Sequence, residues 1–247
     1  MAYNKAFKSD SQRLAFSLRS SIAKRYSHLN AALAIFGVKM SIADSFQIFS
    51  DNFSKRLQRY SAKDITEDCL RYDLFAALLE SGYSADSCVL ELSHPHPSFK
   101  GREIDLVTYS NDSRPESVVE MKYFKEIPSK KQDTTQYMAK LVVDLIKLKF
   151  TSELGGNLYF VMATDYVMKR YISNKSNSFS KLFDEPLNTV FSISPSDKSS
   201  KNSHFNKNIA KDINLELFPL SSAIKIERIF EDQLVNGNAI YIFQVHG

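Results

Sequence analysis

Strands rarely carry an acid and a base two residues apart inside an apolar run, yet Glu120 and Lys122 stand among Val118, Val119, Met121 and Phe124. A period of two places Glu120 and Lys122 on one strand face and Met121 on the other. Burying both charges costs several kcal/mol unless they have partners. Asp105 offers one: it sits 15 residues earlier, in a run flanked by Ile104 and Leu106, which are expected to point away from it. One hairpin spans that separation, and adjacent strands lie about 4.8 Å apart, so Asp105 and Glu120 are expected to share a divalent cation. Two carboxylates and water suit Mg²⁺, with Mn²⁺ as a substitute. Such an ion stabilises charge on a scissile phosphate and lowers the pKa of a bound water. Lys122 would orient or help deprotonate the attacking water, or neutralise charge developing on phosphorus.

The elements around these residues must hold them in place. SAKDITEDCLRYDLFAALLESG (61–82) predicts a helix, with Ser61 and Asp64 at capping-box spacing and Gly82 as the stop. Leu70, Leu74 and Leu78 form its apolar stripe. Glu67 lies on or beside that stripe, where it could reach a metal-bound water or a second ion. CVLEL, REIDLVTY and SVVEMKYF predict three strands in an antiparallel meander. DTTQYMAKLVVDLIKLKF then predicts a second helix, with Tyr137, Leu141, Leu145 and Leu148 buried. NLYFVMAT reads as a buried strand, followed by a helix capped by Asp165. AIKIERIF and AIYIFQV form a hairpin about Asn236-Gly237. Residues 173–208, rich in Ser, Asn and Lys, read as a long polar loop or insertion. Residues 1–60 read as a helical N-terminal region, through Leu14, Leu18 and Ile22 and again through Phe46, Phe49, Phe53 and Leu57, with DNA or a partner as its expected ligand. Residues 61–247 form the second unit.

ID followed by EMK, between a helix carrying Glu67 and an amphipathic helix, resembles the PD-(D/E)XK nuclease superfamily over roughly residues 61–171. Ile104 stands where the name-giving proline is often found. TTQYMAKLVVDLIKLKF followed by YFVMATDYVMKRYI looks like a bacterial branch of that superfamily with little assigned function. The resemblance implies an α/β fold with a restriction-endonuclease-like core, a central mixed sheet flanked by helices. It implies Asp105, Glu120, Lys122 and Glu67 as the catalytic set, with Asp105, Glu120 and Met121 as metal ligands. The expected activity is Mg²⁺-dependent hydrolysis of DNA phosphodiester bonds, in restriction or other defence against foreign DNA. A non-catalytic nucleic-acid or protein-binding module on the same fold, or a structure-specific repair nuclease, are the alternatives. Gln136, Lys125, Lys130 and Lys131 are candidate substrate contacts.

Other residues carry weaker expectations. Glu103 and Glu91 are expected to be solvated. His94 and His96 lie in an HPHP segment that reads as an extended, exposed loop without metal-ligand spacing. Asp144 reads as a helix-surface charge.

Charge is unevenly distributed, a pattern of solvated surface or of basic flanks that could grip a polyanion. The net charge is only +4, but residues 1–65 carry +7, residues 169–211 carry +5, and the remainder is acidic. Cys69 and Cys88 form no CxxC pair, which argues against a disulfide framework or zinc site and fits two thiols in a reducing cytoplasm. No apolar run approaches the roughly 20 residues of a membrane span, and residues 1–19 lack the apolar segment of a secretory signal. A homodimer would suit symmetric cleavage of a duplex.

Overall fold

A computed structural model of the chain describes residues 41–110, 114–126, 134–175, 179–196 and 203–247. Leu14, Leu18 and Ile22, with Lys130 and Lys131, lie outside the described residues.

Helix α1 (Ile42–Arg59) opens on Ser41, whose backbone N–H donates to Asp44 Oδ2 at 2.8 Å. Its apolar residues recur at helical spacing, and Phe46, Phe49, Phe53 and Leu57 are all buried, as expected. Helix α2 spans Glu67–Glu80, shorter than the sequence suggests. Ser61 and Asp64 serve a separate 3-10 turn, Ala62–Asp64. Ile65 is extended and buried, so the helix restarts after Thr66. Gly82, at φ +93°, ends it, with Tyr83 N–H donating back to Leu78 O.

Strands β1 (Cys88–Ser93), β2 (Glu103–Tyr109) and β3 (Pro115–Phe124) form the antiparallel meander. Helix α3 (Thr134–Lys149) then crosses over to β4 (Asn157–Thr164), which pairs parallel with β3. Helix α4 (Tyr166–Ile172) is capped by Asp165, which accepts from Met168 N–H at 2.8 Å. The described residues within 173–208 are less of a long loop or insertion than expected. They contain α5 (Lys181–Asp184), β5 (Val190–Ile193) and the start of α6 (Ser203–Ala210). Each is short and buries one or two apolar anchors, among them Leu182, Ile193, Phe205 and Ile209, so polar residues between them mask the periodicity. The hairpin of β6 (Ile224–Gln233) and β7 (Ala239–His246) closes the fold.

All seven strands join one mixed sheet in the order β1-β2-β3-β4-β7-β6-β5. Its two faces bury separate apolar clusters. Helices α3 and α6 cover one face, over Val107, Val118, Phe124, Phe160 and Met162. Helices α1 and α2 cover the other, over Leu106, Val119, Met121, Tyr123 and Val161. Helix α1 is thus packed into the sheet's second layer, with Phe46 edge-on to Tyr159 and Phe53 edge-on to Tyr123. The architecture is an α/β sandwich of helices about a mixed sheet. None of the described helices is long and apolar enough to cross a membrane.

Candidate functional site

The sheet changes character at Asp105. Along β2, Ile104 joins the α3-side cluster and Leu106 the α2-side cluster, although residues two apart should share a face. Ile104 and Leu106 therefore do not both point away from Asp105. Strand β1 turns over at the same level. Leu90 packs on one side and Leu92 on the other, and between them Glu91 adopts φ +56°. The β2–β3 ladder ends at Leu106↔Val119, one step before Asp105 would face Glu120.

Beyond that point, side-chain carboxylates take up N–H groups of β3. Met121 N–H donates to Asp105 Oδ2 at 2.6 Å, and Tyr123 N–H donates to Glu67 Oε2 at 3.4 Å. Backbone N–H groups in a buried strand must be paired, so two acids at a fork in the sheet are structurally useful as well as chemically suggestive. The fork also admits residues from both helical layers: Glu67 and Arg71 come from α2, Asp144 and Lys147 from α3.

The charged groups form two ion-paired sets, one about Arg71 and one about Lys122 and Lys147. Arg71 donates to Asp105 Oδ1 at 2.6 Å and also meets Asp68 at 3.0 Å and Glu91 at 2.9 Å. Lys122 Nζ lies 3.0 Å from Glu67 Oε1 and 3.7 Å from Asp144 Oδ2. Lys147 Nζ lies 3.3 Å from Glu120 Oε1 and 3.7 Å from Asp144 Oδ1. Six carboxylates (Glu67, Asp68, Glu91, Asp105, Glu120, Asp144) thus face three cations (Arg71, Lys122, Lys147), with Asp68 and Glu91 on the exposed side. Glu120 is the most enclosed, with a side chain 5% exposed, whereas Glu67 and Lys122, at 33% and 25%, stand at the solvent side.

Burial dominates the proton affinities of the acids. It pushes Glu120 well above the usual carboxylate range; the nearby Asp105 charge adds to the effect and Lys147 only partly offsets it. Burial likewise raises Glu67 against Lys122, and Asp144 against Lys122 and Lys147. For Lys122 the balance reverses. Burial alone would lower it, but Asp144 and Glu67 outweigh that and hold the ammonium above its ordinary value. Lys122 is a fixed cation in this arrangement, suited to neutralising charge rather than removing a proton.

Glu67, Asp105, Glu120 and Lys122 all come together at the fork. Met121 contributes backbone only: its side chain is buried in the α2-side layer. Lys125 serves a structural purpose where phosphate contact was anticipated. Its ammonium donates to the carbonyls of Ala62, Lys63 and Ile65 at 3.2, 2.8 and 2.6 Å, pinning the turn before α2. Gln136 is exposed at the start of α3. Glu103 is exposed, and Glu91 is exposed but bonded to Arg71.

Two further expectations are corrected. Asp144 is not a surface charge; its side chain is 14% exposed and faces Lys122 and Lys147. The HPHP segment is only partly the exposed loop expected: Pro95 and Pro97 are exposed, but the histidines are not. His94 is buried against Phe99 at 4.7 Å between ring centres, His96 packs on Phe150 at 4.6 Å, and a 3-10 turn spans Pro97–Phe99. His94 Nδ1 accepts from His96 N–H at 3.1 Å, so Nε2 carries the proton and donates to Lys147 O at 3.1 Å. The ring contacts tie both histidines to the core residue Phe99, while Pro95 and Pro97 stay exposed. Arg71, Asp144 and Lys147 were not anticipated as site members. Their signal was present: Arg71 is one turn beyond Glu67, and Asp144 and Lys147 interrupt the apolar stretch Leu141–Leu148 three residues apart.

A hard divalent cation fits the donor type, which is carboxylate oxygen throughout. Two buried oxygens, Glu120 Oε1 and Asp144 Oδ2, have no hydrogen-bond donor. As they stand, however, no three His, Cys, Asp or Glu side chains among the described residues converge as a ready metal cage. Both Asp105 oxygens are already engaged, and Lys147 stands beside Glu120. No family model, no curated protein and no solved structure matches the chain.

Proposed function

We propose that the chain is a Mg²⁺-dependent endonuclease that hydrolyses DNA phosphodiester bonds at the fork between β2 and β3. The observation that carries this reading is the convergence of Asp105, Glu120, Lys122 and Glu67, with an enclosed Glu120 oxygen that lacks a hydrogen-bond donor. Buried acids without full hydrogen bonding cost stability, and a site that keeps them invites a function that uses them.

Asp105 and Glu120 would hold the ion, with Met121 able to join only through its backbone carbonyl. When bound, the ion supplies charge stabilisation at the phosphate and acidifies a water. Lys122, held as a cation at the solvent side, neutralises charge on the phosphate oxygens. Glu67 positions Lys122 through the 3.0 Å ion pair. A homodimer would supply two such sites for a symmetric duplex cut.

A second reading has its own support. Each acid has a cation nearby, so the network is largely closed without a ligand. A non-catalytic nucleic-acid or protein-binding module on this fold needs nothing more. The test is incubation of the protein with plasmid and Mg²⁺ or Mn²⁺ beside Asp105→Ala and Lys122→Ala. Cleavage by the wild type, lost in both variants, supports the nuclease. Equal behaviour of all three with DNA binding retained sinks it in favour of the binding module. Discrete fragments would indicate restriction, and preference for branched or nicked DNA a repair nuclease.

A further inference from the structure

The three cations of the site are not held alike. Arg71 meets Asp105 at 2.6 Å and Lys122 meets Glu67 at 3.0 Å, both at charge-assisted hydrogen-bond distance. Lys147 meets Glu120 only at 3.3 Å to Oε1 and 3.5 Å to Oε2, and Oε1 gains no hydrogen bond from it. Lys147 is therefore the loosest-held of the three, and it stands beside the most enclosed acid.

Asp144 lies one helical turn before Lys147 on α3. It has unused capacity: Lys122 and Lys147 lie at 3.7 Å, beyond hydrogen-bond distance, and Oδ2 is buried without a donor. Lys147 already lies within ion-pair distance of Asp144, at 3.7 Å. Helix α3 need not move, because the two residues share its face at i and i+3.

We propose that Lys147 is the resident counter-cation of Glu120, exchanged for a divalent cation when metal binds, and that Asp144 receives the displaced ammonium. This rests on the metal-dependent reading given above. A divalent cation and an ammonium repel strongly when both crowd one carboxylate away from bulk water, so they compete for Glu120. Asp144 then makes the exchange possible, because the displaced ammonium would otherwise be left unpaired in a partly buried place.

The experiment measures Mn²⁺ binding to the full chain without DNA, by calorimetry and by the electron spin resonance of free Mn²⁺. Lys147→Met and Lys147→Gln are both used, so that unfolding of one leaves the other to be read; circular dichroism checks each. Both are expected to bind Mn²⁺ about tenfold more tightly than wild type, within the usual range of coupling between sites. Asp144→Asn is expected to weaken binding several-fold in the wild-type background and to have no effect once Lys147 is Met. Further weakening by Asp144→Asn in the Lys147→Met background makes Asp144 a ligand to the ion and overturns its role as receiver. If wild type binds Mn²⁺ and neither Lys147 variant binds more tightly, the exchange is wrong while the metal reading stands. If no variant and no wild type binds, both fail together.

Discussion

Replacing Asp105 tests the fork on which the site depends. Its carboxylate accepts from Met121 N–H and from Arg71, both at 2.6 Å, and its side chain is 12% exposed. Asp105→Ala leaves a buried backbone N–H unpaired, which costs about 1–3 kcal/mol. It also removes a nearly buried ion-pair partner, where losses of about 3–5 kcal/mol are usual. Arg71 keeps Asp68 and Glu91, which are 55% and 54% exposed, so its own penalty falls towards the lower end. The expected destabilisation is about 4 kcal/mol for Asp105→Ala. Asp105→Asn retains an oxygen for Met121 N–H but turns an amide towards Arg71, so about 1–2 kcal/mol is expected. Urea unfolding followed by circular dichroism gives both values from the shift in midpoint, provided the slope is unchanged. A loss under about 0.5 kcal/mol for Asp105→Ala would refute the view that Asp105 completes the edge of β3. Cleavage by a folded Asp105→Asn at the wild-type rate would separately refute its role as a metal ligand.

Two further perturbations test the frame around the site. Burial lowers the His94 imidazole below its ordinary value, so the folded state binds fewer protons than the unfolded state in the window below about pH 6.5. Stability is therefore expected to fall as pH drops through that window and to be retained above it. His94→Phe should flatten this part of the stability–pH curve, measured by thermal unfolding at pH 5 to 7.5, and an unchanged slope would show that His94 is not the group responsible. Gly156 is at φ +78°, and an added Cβ would meet Pro115 O at 2.7 Å and the Glu116 backbone at 2.8 Å. Gly156→Ala is expected to cost about 2 kcal/mol or more by forcing backbone apart where β4 begins beside β3, and an unaltered melting temperature would contradict this.

The amphipathic elements were legible because their periodicity is local. Phe46, Phe49, Phe53 and Leu57 announce α1, and the alternating apolar residues of the final hairpin announce β6 and β7. Residues 173–208 were not legible, since short elements anchored by Leu182, Ile193 or Phe205 draw their order from the core they pack on. His94 is illegible for a related reason: the proline that follows it describes the local backbone and says nothing of Phe99 and Lys147 O, which it packs on and bonds.

The same division holds at the site. By itself, the sequence determined that Glu120 and Lys122 share a strand face, that Asp105 lies on the neighbouring strand, and that Glu67 is on the helix before them. Those follow from a period of two and one connection length, both properties of the local chain. Only the tertiary structure decided that the β2–β3 ladder stops at Leu106↔Val119, that Asp105 and Glu67 take up the N–H groups left over, and that Arg71, Asp144 and Lys147 supply the remaining charges. The physical reason is that ion pairing depends on distance through space and on the exclusion of water. Two helices from opposite layers meet at one gap in the sheet, and no spacing along the chain encodes that encounter.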